Sequence, residues 1–141
     1  MSTTTKRKMT VNTLATLRKV IPLTQFQFLQ TLLRGEEREF FVDAMTEIEF
    51  QYNDLPIIGS AGSDQPTDTA LARIHLFGPS CDWWLVEKSY HPEEPCFGIA
   101  DLGYRELGYF NLWGIIRLRG VEIDLHWKPN TVQQILDEAT R

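Results

Sequence analysis

The run Ala72-Arg-Ile-His-Leu-Phe-Gly-Pro-Ser-Cys-Asp-Trp-Trp-Leu-Val-Glu87 decides the fold class. Ala72, Ile74 and Leu76 alternate with Arg73, His75 and Phe77, the period-two signature of a half-buried strand. Gly78-Pro-Ser80 is a turn, and a second strand is predicted from Trp83 to Tyr90. So short a connection joins antiparallel neighbours. Trp83 and Trp84 are adjacent, so their rings project to opposite faces. If one enters the core, the other is exposed, covered by a helix, or part of a binding surface.

Working outward, Cys96 to Leu102, Leu107 to Phe110 and the alternating Val121-Glu-Ile-Asp-Leu-His-Trp127 read as further strands, with Pro92 and Pro95 in a turn. Asn111 is expected to cap a short helix ending near Gly120, and Asn130 a last helix with Val132, Ile135, Leu136 and Ala139 inward. Upstream, Gly59 to Thr69 has loop composition. Before it, helices are predicted from Thr10 to Val20, stopped by Pro22, and from Thr24 to Gly35. Thr24 and Gln27 have the spacing of a capping box. A third helix covers 36–54, with Phe41, Met45, Ile48, Tyr52 and Leu55 on one face.

The expectation is an α+β fold: N-terminal helices, then a meandering antiparallel sheet of four to five strands, with a short helix and a C-terminal helix. The helices are expected on one face of the sheet. The divisions are a flexible basic tail (1–9), a helical region (10–56), a loop (57–69) and an α+β domain (70–141). The N-terminal helices either cover the sheet or form a separate arm.

Composition bounds the function. The chain has 141 residues, 43% hydrophobic and 23% charged, enough for one domain with a core that needs no disulfide. The net charge of −5 argues against a general nucleic-acid binder. That sum hides an asymmetry: residues 1–19 carry five basic and no acidic side chains, and the rest of the chain is −10. Direct nucleic-acid contact is therefore expected only through the basic N-terminal tract. No apolar stretch approaches the roughly 18–20 residues of a membrane span, and the N-terminus lacks a signal-peptide pattern. The expected location is the cytoplasm, with Cys81 and Cys96 as reduced thiols.

Chemistry is sparse. Cys81, His91, Cys96, His75 and His126 lack the close spacing of zinc ligands, so no metal and no cofactor are expected. Cys81 with a histidine base would need a geometry that sequence cannot supply. There is no G-x-S-x-G elbow, P-loop or dinucleotide fingerprint. Asp82, Glu87, Glu122 and Asp124 are the candidates for acid–base work, the basis of an alternative reading as a small hydrolase or nucleotide-modifying enzyme.

Two leads remain. Glu36, Glu39, Asp43 and Glu47 form a stripe on the third helix, in a segment, 36–54, that holds seven acidic residues and one basic. Such a row can imitate a line of phosphates and compete for a basic groove. The second lead is Trp83 or Trp84, whichever is exposed, as an anchor for the contact. An uncovered Trp face would also favour a homodimer.

Four blocks in order carry a resemblance: Arg73 to Glu87, Phe97-Gly-Ile-Ala-Asp-Leu-Gly103, Glu106-Leu-Gly-Tyr-Phe-Asn-Leu112 and Val121 to Pro129. Over about residues 70–129 the chain resembles a small uncharacterised domain family of phages, conjugative plasmids and integrative elements. The resemblance implies a mobile genetic element as the source and carries no catalytic residue. The leading expectation is a non-enzymatic interaction protein that inhibits a host nucleic-acid-handling complex, an anti-CRISPR protein being the specific case. Its partner would be a host protein or ribonucleoprotein with a basic groove. A structural accessory protein is the third reading.

Overall fold

Ile74 and Leu76 face Leu85 and Trp83 across two paired strands, and all four are at most 5% exposed. They form the floor of the core. The computed structural model of the chain describes residues 9–60 and 68–139. Residues 1–8, nearly all of the expected basic tail, and 61–67 of the expected loop lie outside the described residues.

The strands are β1 (Leu71–Ala72), β2 (Ile74–Gly78), β3 (Cys81–Glu87), β4 (Cys96–Asp101), β5 (Arg105–Phe110), β6 (Glu122–Ile123) and β7 (Asn130–Thr131). The main sheet has the order β5-β4-β3-β2-β6, antiparallel throughout. Four strands meander in sequence, with an eight-residue connection between β3 and β4, and β6 returns to the free side of β2. A second sheet pairs β1 with β7. The helices are α1 (Val11–Leu17), α2 (Leu23–Leu32), α3 (Arg38–Asp54), α4 (Leu112–Ile115) and α5 (Val132–Glu138). This is the expected α+β fold.

One core holds Leu17, Phe26 and Met45 from α1–α3, Ile115 from α4, and Ile74, Leu76, Trp83 and Leu85 from the sheet. The N-terminal helices therefore cover the sheet rather than stand apart. A second cluster lies on the opposite face: Trp84, Val86 and Ile99 against Ala70, Ala72, Val132 and Ile135. Helices cover both faces, which corrects the one-face expectation. The reason is the alternation itself: Trp84 and Val86 are as apolar as Trp83 and Leu85, so both sides of β3 need burial.

Local chemistry moves several boundaries. α2 begins at Leu23 with Pro22 as its N-cap and no side-chain cap, so the Thr24–Gln27 capping box is not formed; proline's fixed φ already suits the helix start. α3 begins at Arg38, after Glu37, which leaves Glu36 outside it. Asn111 does cap α4, accepting from the Gly114 amide at 3.1 Å. The cap of α5 is Thr131, whose hydroxyl accepts from the Gln134 amide, rather than Asn130. Ala72 does not continue Ile74 and Leu76 on one face: it belongs to β1 and the second cluster. The seven-residue strand expected over 121–127 shrinks to two residues. Asp124 Oδ1 accepts from the His126 amide at 2.9 Å, an Asx turn that bends the chain away after Ile123.

Long polar contacts fasten these layers. The Gln25 side chain donates to Ile123 O at 3.0 Å and accepts from Ile123 N at 2.7 Å, an amide acting as a further strand on β6. Lys88 Nζ donates to the carbonyls of Tyr52 (2.9 Å) and Asn53 (3.1 Å), satisfying the end of α3 with a cation where the helix dipole favours one. Burial, then Lys19, push the Lys88 ammonium below its usual range.

The cysteines cannot pair within the chain. Cys81 starts β3, whereas Cys96 lies on β4 beyond the partner of Glu87. A separation of about six strand positions is roughly 20 Å, against the 7 Å limit for disulfide Cα atoms. Burial pushes the Cys96 thiol up to about 12, and its Sγ donates to Phe110 O at 3.2 Å. Because the thiolate is the nucleophile, a thiol reagent at pH 8 should label Cys81 in the folded protein and Cys96 only after unfolding. Peptide mapping checks this; rapid native labelling of Cys96 would contradict it.

Candidate functional site

α3 places its side chains by helical phase. Phe40, Asp43, Glu47 and Phe50 follow each other at steps of three, four and three, so they share one face, with Glu39 at its margin. All five are exposed, and the two phenyl rings are 50% and 58% so. The opposite face, with Val42, Met45, Ile48 and Tyr52, is buried. The outer face of α3 is thus acidic and aromatic together. Of the predicted stripe, Glu39, Asp43 and Glu47 are on it. Glu36 is exposed just ahead of the helix, where Glu36, Glu37, Arg38, Glu39 and Phe40 line an open depression of about 530 Å³.

Two further carboxylates of this segment, Glu49 and Asp54, are held by partners from other elements. Glu49 accepts from the Thr13 hydroxyl at 2.9 Å, and Asp54 pairs with Arg73 at 2.9 Å. Arg73 also donates to Gln51 Oε1 (2.9 Å), whose Nε2 donates to Glu47 Oε2 (2.7 Å). This chain holds Glu47 in one geometry, which lowers the entropy cost of a contact there.

The tryptophans are a correction. Trp83 is 5% and Trp84 4% exposed, so neither is an anchor for a partner. Trp83 lies under α1–α3, and Trp84 lies under α5 and Trp127. The exposed aromatics that the sequence reading passed over are Phe28, Phe40 and Phe50. Helical phase singles out Phe40 and Phe50, because both share the face of Asp43 and Glu47 and turn away from Met45 and Tyr52.

A polar node sits beside Trp84 on the α5 side. His75 Nε2 lies 2.8 Å from Asp82 Oδ1, and Nδ1 lies 3.0 Å from Asp124 Oδ2. Each contact joins one ring nitrogen to one carboxylate oxygen, so the ring bridges the two acids. The ring stacks on Trp84 at 4.8 Å and 11°, and on Phe77 at 5.8 Å and 30°. The Arg105 guanidinium lies 4.7 Å from the Trp84 centroid, and it donates to Ile135 O, tying β5 to α5. Trp84 Nε1 is enclosed with no acceptor among the described residues. Of the four carboxylates proposed for acid–base work, Asp82 and Asp124 meet at His75; Glu87 and Glu122 do not. A carboxylate already occupies each ring nitrogen of His75, and the node reads as a clamp between β2, β3 and the segment after β6.

Among the described residues no group of three or more His, Cys, Asp or Glu side chains could hold a metal ion. No described helix is long and apolar enough to cross a membrane. Comparison with protein-family models, curated proteins and solved structures finds no match in any of the three.

Proposed function

We propose that the chain is a non-enzymatic interaction protein of a phage or mobile genetic element. In this reading it lays the outer face of α3 against a basic groove of a host protein or ribonucleoprotein that handles nucleic acid. An anti-CRISPR protein acting on a CRISPR–Cas effector is the specific case. The observation that carries the reading is the co-location of Glu39, Asp43 and Glu47 with the exposed rings of Phe40 and Phe50 on one helical face. Carboxylates supply the phosphate-like field that steers encounter, and the phenyl rings supply apolar area that a purely solvated face does not need. The resemblance over residues 70–129 supports the source.

The test begins with affinity capture of the tagged full chain from host lysate and identification of what is retained. Reversal of three charges, E39K/D43K/E47K, should then weaken the captured complex by about 100-fold or more in ordinary salt with the folded circular dichroism spectrum retained, and E39K alone, which leaves the Gln51–Glu47 bond in place, should weaken it in the same direction with melting unchanged. Phe40→Ala with Phe50→Ala should weaken it by about 10-fold or more. A partner held equally well by the charge-reversed chain would sink the phosphate-mimic reading. Capture of nothing would favour a structural accessory role.

The enzyme reading has one observation in its favour, the meeting of Asp82 and Asp124. The clamp geometry of His75 and the separation of Glu87 and Glu122 weigh against it.

A further inference from the structure

The two edges of the main sheet are not alike. At one edge β6 has two residues, and Gln25 takes both the N–H and the C=O of Ile123. That edge is closed by a side chain. At the other edge β5 runs for six residues in unbroken register with β4, from Cys96↔Phe110 to Asp101↔Arg105. Among the described residues no strand pairs with its outer side.

An open edge is a template for another strand, and monomeric proteins usually guard it with lysine, proline, a bulge or a short length. β5, Arg-Glu-Leu-Gly-Tyr-Phe, has no lysine or proline and no bulge. Arg105 is drawn inward to Trp84, Asp101 and Ile135 O. Glu106 is the only other charge.

We propose that two copies of this chain pair antiparallel through β5, joining their main sheets into one. What selects a second copy is the self-complementarity of the strand. About a two-fold axis through Leu107, perpendicular to the sheet, Leu107 meets Leu107, Arg105 meets Tyr109, and Glu106 meets Gly108. No like charges face each other, and Arg105 gains an aromatic neighbour on its own face. Tyr109 is 67% exposed and already leans on Phe97 at 5.1 Å. At Gly108 nothing lies within 4 Å of where a Cβ would stand, so the stem of Glu106 from the other copy has room. A register centred on Glu106 would instead oppose two carboxylates. The dimer expected from an uncovered Trp face has no such face; β5 supplies a different surface, independent of α3.

Light scattering and sedimentation of the full chain from about 1 to 100 µM should show a dimer of about twice the chain mass, with β5 amides protected from hydrogen exchange as it forms. Tyr109→Lys sets a lysine opposite Arg105 on both sides of the axis. It should weaken dimerisation by about 10-fold or more with circular dichroism unchanged. A chain that stays monomeric at 100 µM overturns the proposal. So does a Tyr109→Lys dimer as tight as the original, which would place the interface elsewhere. A host peptide recovered on β5 in place of a second copy overturns it as well.

Discussion

Gly98→Ala is expected to destabilise the protein by at least about 3 kcal/mol, and to leave little soluble folded chain. Gly98 lies on β4 opposite Leu85 on β3 and Gly108 on β5, in the middle of the main sheet. A Cβ there would fall on the Trp84 carbonyl oxygen, and within 3.0 Å of the Trp84 carbonyl carbon and 3.3 Å of Leu85 Cα. Those are backbone atoms, so no rotamer change relieves the overlap. Relief requires β3 and β4 to separate beside the bulge between Leu85 and Glu87, which breaks the ladder bonds nearby. Each costs about 1 kcal/mol net, and Trp84 and Leu85 then lose packing on both faces. Gly114→Ala is the control: in α4 its Cβ would meet nothing within 4 Å, and helix propensity favours alanine by about 0.5–1 kcal/mol. Urea denaturation of both variants decides it. A Gly98→Ala protein within 1 kcal/mol of the original would mean that the close β3–β4 approach is wrong.

His75→Ala carries the second large effect, about 2–4 kcal/mol. The ring is lost from between Trp84 and Phe77, and Asp82 and Asp124 lose their shared partner. Two carboxylates are left without that partner beside a buried tryptophan, which adds to the cost of the cavity. His75→Phe separates the contributions: it keeps a ring against Trp84 but donates nothing, and should fall between the original and the alanine variant. If His75→Ala unfolds within 1 kcal/mol of the original, the clamp contributes little and His75 is free for another role.

Much of the fold was legible because the β2–β3 hairpin alternates cleanly and its turn is short. Met45, Ile48 and Tyr52 also marked the buried face of α3 correctly. The errors share a physical origin. Period-two alternation persists where the ladder does not: Val121, Ile123, Leu125 and Trp127 all turn inward to some degree, yet the Asx turn at Asp124 ends the pairing. The same alternation runs through Ala72 into Ile74, although the strand breaks at Arg73 and the two residues serve different cores. Helix starts were misplaced where proline or backbone geometry replaced the side-chain cap, as at Pro22. At the candidate surface, charge spacing located Glu39, Asp43 and Glu47. The tryptophans misled, because large aromatics are where burial gains most, and only the second helical layer decides whether they are covered. His75 was seen as one ligand among several. Its carboxylates lie 7 and 49 positions away, and no local pattern announces such a meeting.

The bond pair between Gln25 and Ile123 joins residues 98 positions apart. On a ribosome adding about 5–20 residues per second, α1–α3 emerge several seconds before the strands that cover them. Until then Phe26, Leu29 and Met45 have no sheet to face. The nascent helical segment therefore exposes apolar side chains until the sheet is made, and truncation before β6 should yield chains that aggregate rather than a smaller folded unit, which sedimentation of the truncated chain checks.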